Sequence, residues 1–209
     1  MENFNNRRPI SSRSTSWAKK ISQYLVRKNI SPNDISVASI IFALFGSISI
    51  LFLQNYWGFI LCFLFIQLRL LCNLFDGMVA IEGGKKSILG NLYNEFPDRI
   101  ADSFLIVALG YAINLPELGW LGALLAALTA YVRVFGGSIG LEQNFIGPMA
   151  KQHRMAIYSA ACVFGQFEYS FFQSHYILIL ALIVIIVGSL LTCVNRTLEM
   201  SKKLKEEKQ

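Results

Sequence analysis

Two polar stretches, Asn73-Leu74-Phe75-Asp76-Gly77-Met78-Val79-Ala80 and Asn94-Glu95-Phe96-Pro97-Asp98-Arg99-Ile100-Ala101-Asp102, interrupt an otherwise apolar sequence. Asn73 and Asp76 stand three residues apart, and Asn94, Asp98 and Asp102 stand four apart, so each set shares one helical face. Residues 57–75 lead into the first stretch and residues 99–115 leave the second, both as apolar runs. Charge at the end of a bilayer-crossing helix is costly and marks function. The short connection predicts antiparallel neighbouring helices whose oxygen-bearing side chains converge. Carboxylate and amide oxygens so gathered suit a hard divalent cation such as Mg²⁺, with phosphate oxygens completing its shell.

Working outward, apolar runs near the roughly 20 residues that a spanning helix requires recur at 36–54, 57–75, 99–115, 119–140, 155–173 and 176–196. The predicted fold class is an all-α integral membrane protein with six transmembrane helices. The runs are too long for barrel strands of about 10 residues and lack in/out alternation. Composition agrees: 54% of residues are apolar and 15% charged, against about 25% charged in ordinary globular domains. Soluble globular, disordered and coiled-coil classes are excluded on that ground. Cys62, Cys72, Cys162 and Cys193 lie inside apolar runs without metal-like spacing, and read as small buried hydrophobes.

Basic residues set the orientation. Arg7, Arg8, Arg13, Lys19, Lys20, Arg27 and Lys28 precede the first run, Lys85, Lys86 and Arg99 fall between the second and third, and Lys151 and Arg154 between the fourth and fifth. Lys202, Lys203, Lys205 and Lys208 follow the sixth, while the other three connections carry no Lys or Arg. Every second connection is basic, as six spans with both termini in the cytoplasm require. This also accounts for the positive charge without nucleic acid as a partner. Residues 1–15 read as a disordered basic N-terminus, 16–200 as one membrane domain and 201–209 as a charged cytoplasmic tail. No apolar core of signal-peptide type precedes residue 35, so no processing is expected. Trp17, Ile21, Tyr24 and Leu25 recur at helical spacing against Lys19, Lys20, Arg27 and Lys28. That pattern predicts an N-terminal amphipathic helix, either at the membrane interface or packed with a solvated basic face.

The order Asn73-x2-Asp76-Gly77-x2-Ala80-Ile81-x8-Gly90-x3-Asn94-x3-Asp98 resembles the signature of the CDP-alcohol phosphatidyltransferase family. There the pattern is Asp-x2-Asp-Gly-x2-Ala-Arg, about eight residues, then Gly-x3-Asp-x3-Asp. Every interval matches, while Asn73, Asn94 and Ile81 depart from it. Ile30-Ser31-Pro32-Asn33-Asp34-Ile35-Ser36 is similar to the family's Thr/Ser-Pro-Asn lead into its first membrane helix, and Tyr131-Val132-Arg133 to its Tyr-x-Arg.

The resemblance implies a transferase of phospholipid biosynthesis that moves a phosphatidyl group from CDP-diacylglycerol to a small polar alcohol and releases CMP. It implies two divalent ions, Mg²⁺ or Mn²⁺, at the positions of Asn73, Asp76, Asn94 and Asp98, with Asp98 the catalytic base; Glu95 and Asp102 are near enough in sequence to compensate for the two amides, and on helical geometry Asp102 is the better aligned. Gly77, Ala80 and Gly90 are expected to let the CDP phosphates approach closely. Lys85 or Arg99 is expected to replace the arginine missing at Ile81, although Lys85-Lys86 also reads as a solvated pair. Arg133, Lys151 and Arg154 are expected to bind an acceptor that is itself phosphorylated, glycerol 3-phosphate ahead of an inositol phosphate. A homodimer in a bacterial inner membrane is implied by the resemblance as well. Two other classes fit less of the pattern: a non-catalytic CDP-lipid-binding relative, and a small transporter, for which a midplane site and repeated halves are lacking.

Overall fold

The computed structural model describes residues 15–53, 55–84 and 89–206. The expected disordered segment 1–15, apart from Thr15, lies outside the described residues, as do Lys85 and Lys86. Seven helices follow in order: α1 (Ser16–Arg27), α2 (Pro32–Phe52), α3 (Tyr56–Glu82), α4 (Gly90–Ala112), α5 (Pro116–Ser138), α6 (Lys151–Phe172) and α7 (Tyr176–Glu206). No strand occurs among the described residues.

Local chemistry explains where these helices start and stop. Ser31 and Asp34 form a reciprocal capping box at α2: Asp34 N donates to Ser31 Oγ (3.1 Å), Ser31 N donates to Asp34 Oδ2 (3.4 Å), and Pro32 occupies the first turn. Asn55 Oδ1 accepts from Trp57 N (3.0 Å) and Gly58 N (3.2 Å), opening α3. At the turn between α4 and α5, Gly110 and Gly119 bring two backbones together, since a Cβ on Gly110 would lie 2.5 Å from Gly119 Cα. Glu168 takes three donors at the start of α7: Ser174 Oγ (2.6 Å), Tyr176 N (2.7 Å) and Ile177 N (2.8 Å). It supplies from α6 the acceptors that the first turn of α7 lacks.

Helices α2 to α7 close into a ring in the order α2, α3, α6, α7, α5, α4, each packed on the next, with α4 back against α2. This corrects the expectation that α3 and α4 are packed neighbours. Their backbones both pack on α2 rather than on each other, and side chains bridge the two, Arg69 of α3 with Asp98 and Asp102 of α4. The apolar core fills the ring with Ile66 of α3, Leu105, Ile106 and Leu109 of α4, Met155 and Tyr158 of α6, and Leu182 and Ile185 of α7, all fully buried. A separate cluster seats α1 on α3, where Ala18 and Leu74, Phe75, Met78 and Val79 are buried and Trp17 meets Phe75 edge-on at 6.1 Å. Trp17, Ile21 and Tyr24 stay exposed on the outer face of α1.

Helices α2, α3, α5 and α7 are long and apolar enough to cross a membrane by length and composition. The chain therefore has the character of an integral membrane protein. α4 and α6, at 23 and 22 residues, have the length, but Glu95, Asp98, Arg99 and Asp102 dilute the apolar character of one, and Lys151, Arg154 and Glu168 that of the other. Many large apolar side chains point outward from the ring, among them Ile41, Phe45, Phe104, Leu124, Phe164, Leu180 and Leu191. An apolar exterior around a packed interior is what a bilayer solvates.

Candidate functional site

The second halves of α3, α5 and α7 and the first turns of α2, α4 and α6 meet at one end of the ring. Between them lies a cleft of about 190 Å³. Asn73, Asp76 and Gly77 of α3 line it together with Asn94, Glu95, Asp98 and Arg99 of α4. α5 adds Thr129 and Arg133, α6 adds Lys151 and Arg154, and α7 adds Arg196. Pro97 falls within α4 without ending it, so Asn94, Asp98 and Asp102 do share a face.

The two aspartates are held differently. Asp76 accepts from Ser36 Oγ of α2 (2.9 Å) and from the backbone N–H of Gly77 (2.5 Å). Asp98 accepts from Lys151 Nζ on Oδ2, with Arg99 3.7 Å from the same oxygen. Its Oδ1 is buried with no hydrogen-bond partner, 3.5 Å from Arg69 Nη2. Buried carboxylate oxygens are rarely left unpaired, and an exception calls for an explanation such as a bound ion.

Behind the cleft wall, Asp102 is 2% exposed and saturated. Arg69 Nη2 donates to Oδ1 (2.5 Å), while Arg154 donates to Oδ2 through Nη2 (2.7 Å) and Nε (3.3 Å). Arg154 also reaches Thr129 Oγ1 (3.3 Å) and Met149 O (3.2 Å). The expected compensating role for Asp102 meets a physical obstacle: both oxygens already serve guanidinium groups, and Asp102 does not line the cleft. Arg133 pairs with Glu95 (2.5 Å) and Gln143 (2.6 Å) and lies over the Phe145 ring at 5.2 Å. Arg196 binds the carbonyls of Ile146 (2.9 Å) and Thr129. These contacts tie the α5–α6 connection down over the cleft.

Of the expected residues, Asn73, Asp76, Gly77, Asn94, Asp98, Arg99, Arg133, Lys151 and Arg154 come together, whereas Ala80 and Gly90 lie outside the lining. Ile81 is half exposed and also outside it. Sequence reasoning missed Ser36, Thr129 and Arg196 as site residues. Ser36 ends the Ile30–Ser36 stretch and Arg196 ends an apolar run, which are the signals that point to them. Arg69, on α3 one turn before Asn73, forms a buried ion pair with Asp102.

No family model matches the chain. The backbone follows that of the Mycobacterium tuberculosis phosphatidylinositol phosphate synthase. With CDP-DAG bound, that structure superimposes at a TM-score of 0.71 with 18% identity, covering 89% of this chain and 94% of that one. In complex with manganese and citrate it gives 0.72, again at 18% identity, over 88% of each chain. The two share a fold. In sequence, 182 residues are 29% identical to an uncharacterized protein of Aquifex aeolicus, covering 84% of this chain and 85% of that one. A phosphatidylinositol phosphate synthase of Streptomyces avermitilis is 25% identical over 195 residues, 88% of this chain and 77% of that one.

Do the residues present suit a divalent cation? Among the described residues no group of three or more His, Cys, Asp or Glu side chains forms a metal cage. A shared site, completed by phosphate oxygens, asks for less. The unpartnered Asp98 Oδ1 and the buried, unpartnered Asn73 amide nitrogen are the marks of such a site. An amide flip would replace that nitrogen with an oxygen ligand. The cleft therefore fits a cation held by Asp76, Asp98 and amide oxygens.

Proposed function

We propose that the protein transfers a phosphatidyl group from CDP-diacylglycerol to a small phosphorylated alcohol and releases CMP, at the cytoplasmic face of a bacterial inner membrane. The observation that carries this reading is the cleft itself, in which Asp76 and Asp98 face a lining that also holds five cationic side chains, Arg99, Arg133, Lys151, Arg154 and Arg196. Five cations against three carboxylates, Asp76, Glu95 and Asp98, suit a diphosphate with a cation, and a second phosphate on the acceptor. On this reading α4 and α6 also cross the bilayer, giving six spans with both termini cytoplasmic, and α1 rests at the interface.

A divalent cation, when bound, neutralises the diphosphate and stabilises the departing CMP. The chain supplies the rest. Ser36 and the Gly77 N–H fix the Asp76 carboxylate toward the cleft. Asp98 takes the proton of the acceptor hydroxyl as its oxygen bonds to the phosphatidyl phosphorus and the bond to CMP breaks. Arg133, which pairs with Glu95, and Lys151, which pairs with Asp98, receive the acceptor phosphate, and Arg154 backs them from a buried position. Likeness to two phosphatidylinositol phosphate synthases supports an inositol phosphate ahead of glycerol 3-phosphate as acceptor, the reverse of the order expected from sequence.

The test uses purified protein with CDP-diacylglycerol, Mg²⁺ or Mn²⁺ and each acceptor in turn, reading CMP release and the new phospholipid. Inositol phosphate is expected to elicit both. Asp76→Asn and Asp98→Asn are each expected to lower turnover at least about 100-fold, the loss typical of a metal ligand or general base. CMP release unchanged in either variant would refute the assignment.

A further inference from the structure

The cleft's oxygens can be counted, and the count constrains how many ions it takes. Glu95, the third carboxylate of the lining, is occupied by Arg133 at 2.5 Å and Arg99 at 3.5 Å. Asp102 lies behind the wall, shared by Arg69 and Arg154. That leaves Asp76 and Asp98. Both oxygens of Asp76 already accept one hydrogen bond, from Ser36 and from Gly77 N. On Asp98, Oδ2 holds the Lys151 ammonium, while Oδ1 is buried without a hydrogen-bond partner, 3.5 Å from an Arg69 Nη2 that is committed to Asp102. Asn73 and Asn94 offer amide oxygens but no charge.

We propose that the cleft binds a single divalent cation at Asp98 Oδ1 and Asp76, and that the Lys151 ammonium on Asp98 Oδ2 acts as a resident second cation. Two carboxylates neutralise one divalent ion fully. A second would face Lys151, Arg99 and Arg133 with amides alone to offset it, and like charges at contact distance repel strongly in a partly buried site. Lysine suits this place because its ammonium is a compact point charge with three donors, able to hold Asp98 and a phosphate oxygen together. Its stem starts at the first residue of α6, anchored by Arg154 and Met149 beside it. The inference rests on the proposed transferase reading for its substrate, but not for its ion count.

The test is a titration of the purified protein with Mn²⁺ alone, reading free Mn²⁺ by electron paramagnetic resonance. Wild type is expected to bind one ion per chain, with no dipolar broadening between ions. Lys151→Met is expected to tighten that site about tenfold by removing a competing charge. Lys151→Arg, which keeps the charge, is expected to stay within about threefold of wild type. Asn94→Asp combined with Lys151→Met is expected to admit a second ion. Two ions in wild type, no binding in wild type, or an unchanged affinity in a folded Lys151→Met protein would each overturn the proposal. Single-ion binding in a protein that releases no CMP with any acceptor would defeat the transferase reading and leave this inference standing; CMP release with two bound ions would do the reverse.

Discussion

Replacing Asp102 separates a structural carboxylate from a metal ligand. Asp102, Arg69 and Arg154 are 2%, 0% and 1% exposed, and Arg69 Nε and Nη1 are already without partners. In Asp102→Asn the amide can accept from one guanidinium, yet two buried positive charges lose their shared carboxylate, and Asp98, 3.5 Å from Arg69, is left to offset them. Breaking a buried ion pair from one side costs roughly 3–5 kcal/mol. The retained acceptor places Asp102→Asn at about 3 kcal/mol, and Asp102→Ala, which removes it, at about 5 kcal/mol. For a chain of this size each kcal/mol lowers the melting temperature by about 2–4 °C on the scale of soluble proteins. A drop of about 6–12 °C is therefore expected for Asp102→Asn in detergent, followed by thermal unfolding. Mn²⁺ affinity of the protein that remains folded is expected to fall by no more than about tenfold, the effect of uncompensated charge beside Asp98, since Asp102 itself is outside the cleft lining. A melting temperature unchanged to within about 2 °C together with a lost Mn²⁺ site would show that the carboxylate serves the ion and that the triad reasoning is wrong.

Gly110→Ala would place a Cβ 2.5 Å from Gly119 Cα and 2.9 Å from Leu115 O, so a loss of at least about 1–3 kcal/mol is expected by thermal unfolding. Gly136→Ala would meet nothing nearer than Met200 Sδ at 3.7 Å, and is expected to be tolerated in the same assay. Glu168→Gln weakens three hydrogen bonds at the start of α7; a loss of about 1–2 kcal/mol with unchanged turnover is expected, because the residue lies at the opposite end of the ring. Arg133→Ala is expected to raise the KM for a phosphorylated acceptor at least about tenfold while leaving the KM for CDP-diacylglycerol within about twofold, read from initial rates of CMP release.

The lipid-facing part of the fold is legible because hydropathy reports solvent contact. What it does not report is helix that continues beyond the hydrocarbon. The apolar run at 99–115 belongs to a helix that begins at Gly90, and the run at 176–196 to one that ends at Glu206. The extra turns of the first carry Asn94 and Asp98 to the cleft, and Arg196 stands at the very end of the second run. Spacing within a helix was equally legible, and it correctly grouped Asn94, Asp98 and Asp102 on one face. It could not divide that face. Asp98 opens to the cleft while Asp102, one turn deeper, turns to Arg69 and Arg154, and that distinction is set by α3 and α6, 33 and 52 residues away in sequence. Ring order was hidden for the same reason. α2 fits between α3 and α4 because Gly46 lets it lie against Phe65 and Leu105, with a Cβ there only 3.2–3.3 Å from both.

The three departures from the resembled motif become one change when charge is followed through the cleft. Asn73 and Asn94 withhold two negative charges, and a cleft with one divalent ion in place of two withholds two positive charges. The field met by a diphosphate is then preserved. Ile81 withholds a guanidinium, but that position is half exposed and outside the lining, whereas Arg99 and Lys151 stand within it beside Asp98. If a divalent ion were restored without these side chains being moved, the excess charge would fall on Asp98, already in contact with an ammonium. The amides and the lysine therefore belong together. Asn94→Asp alone is expected to strengthen the hold on Lys151 rather than admit a second ion, and Lys151→Met is what opens the place; a second Mn²⁺ ion bound by Asn94→Asp with Lys151 intact would break that linkage.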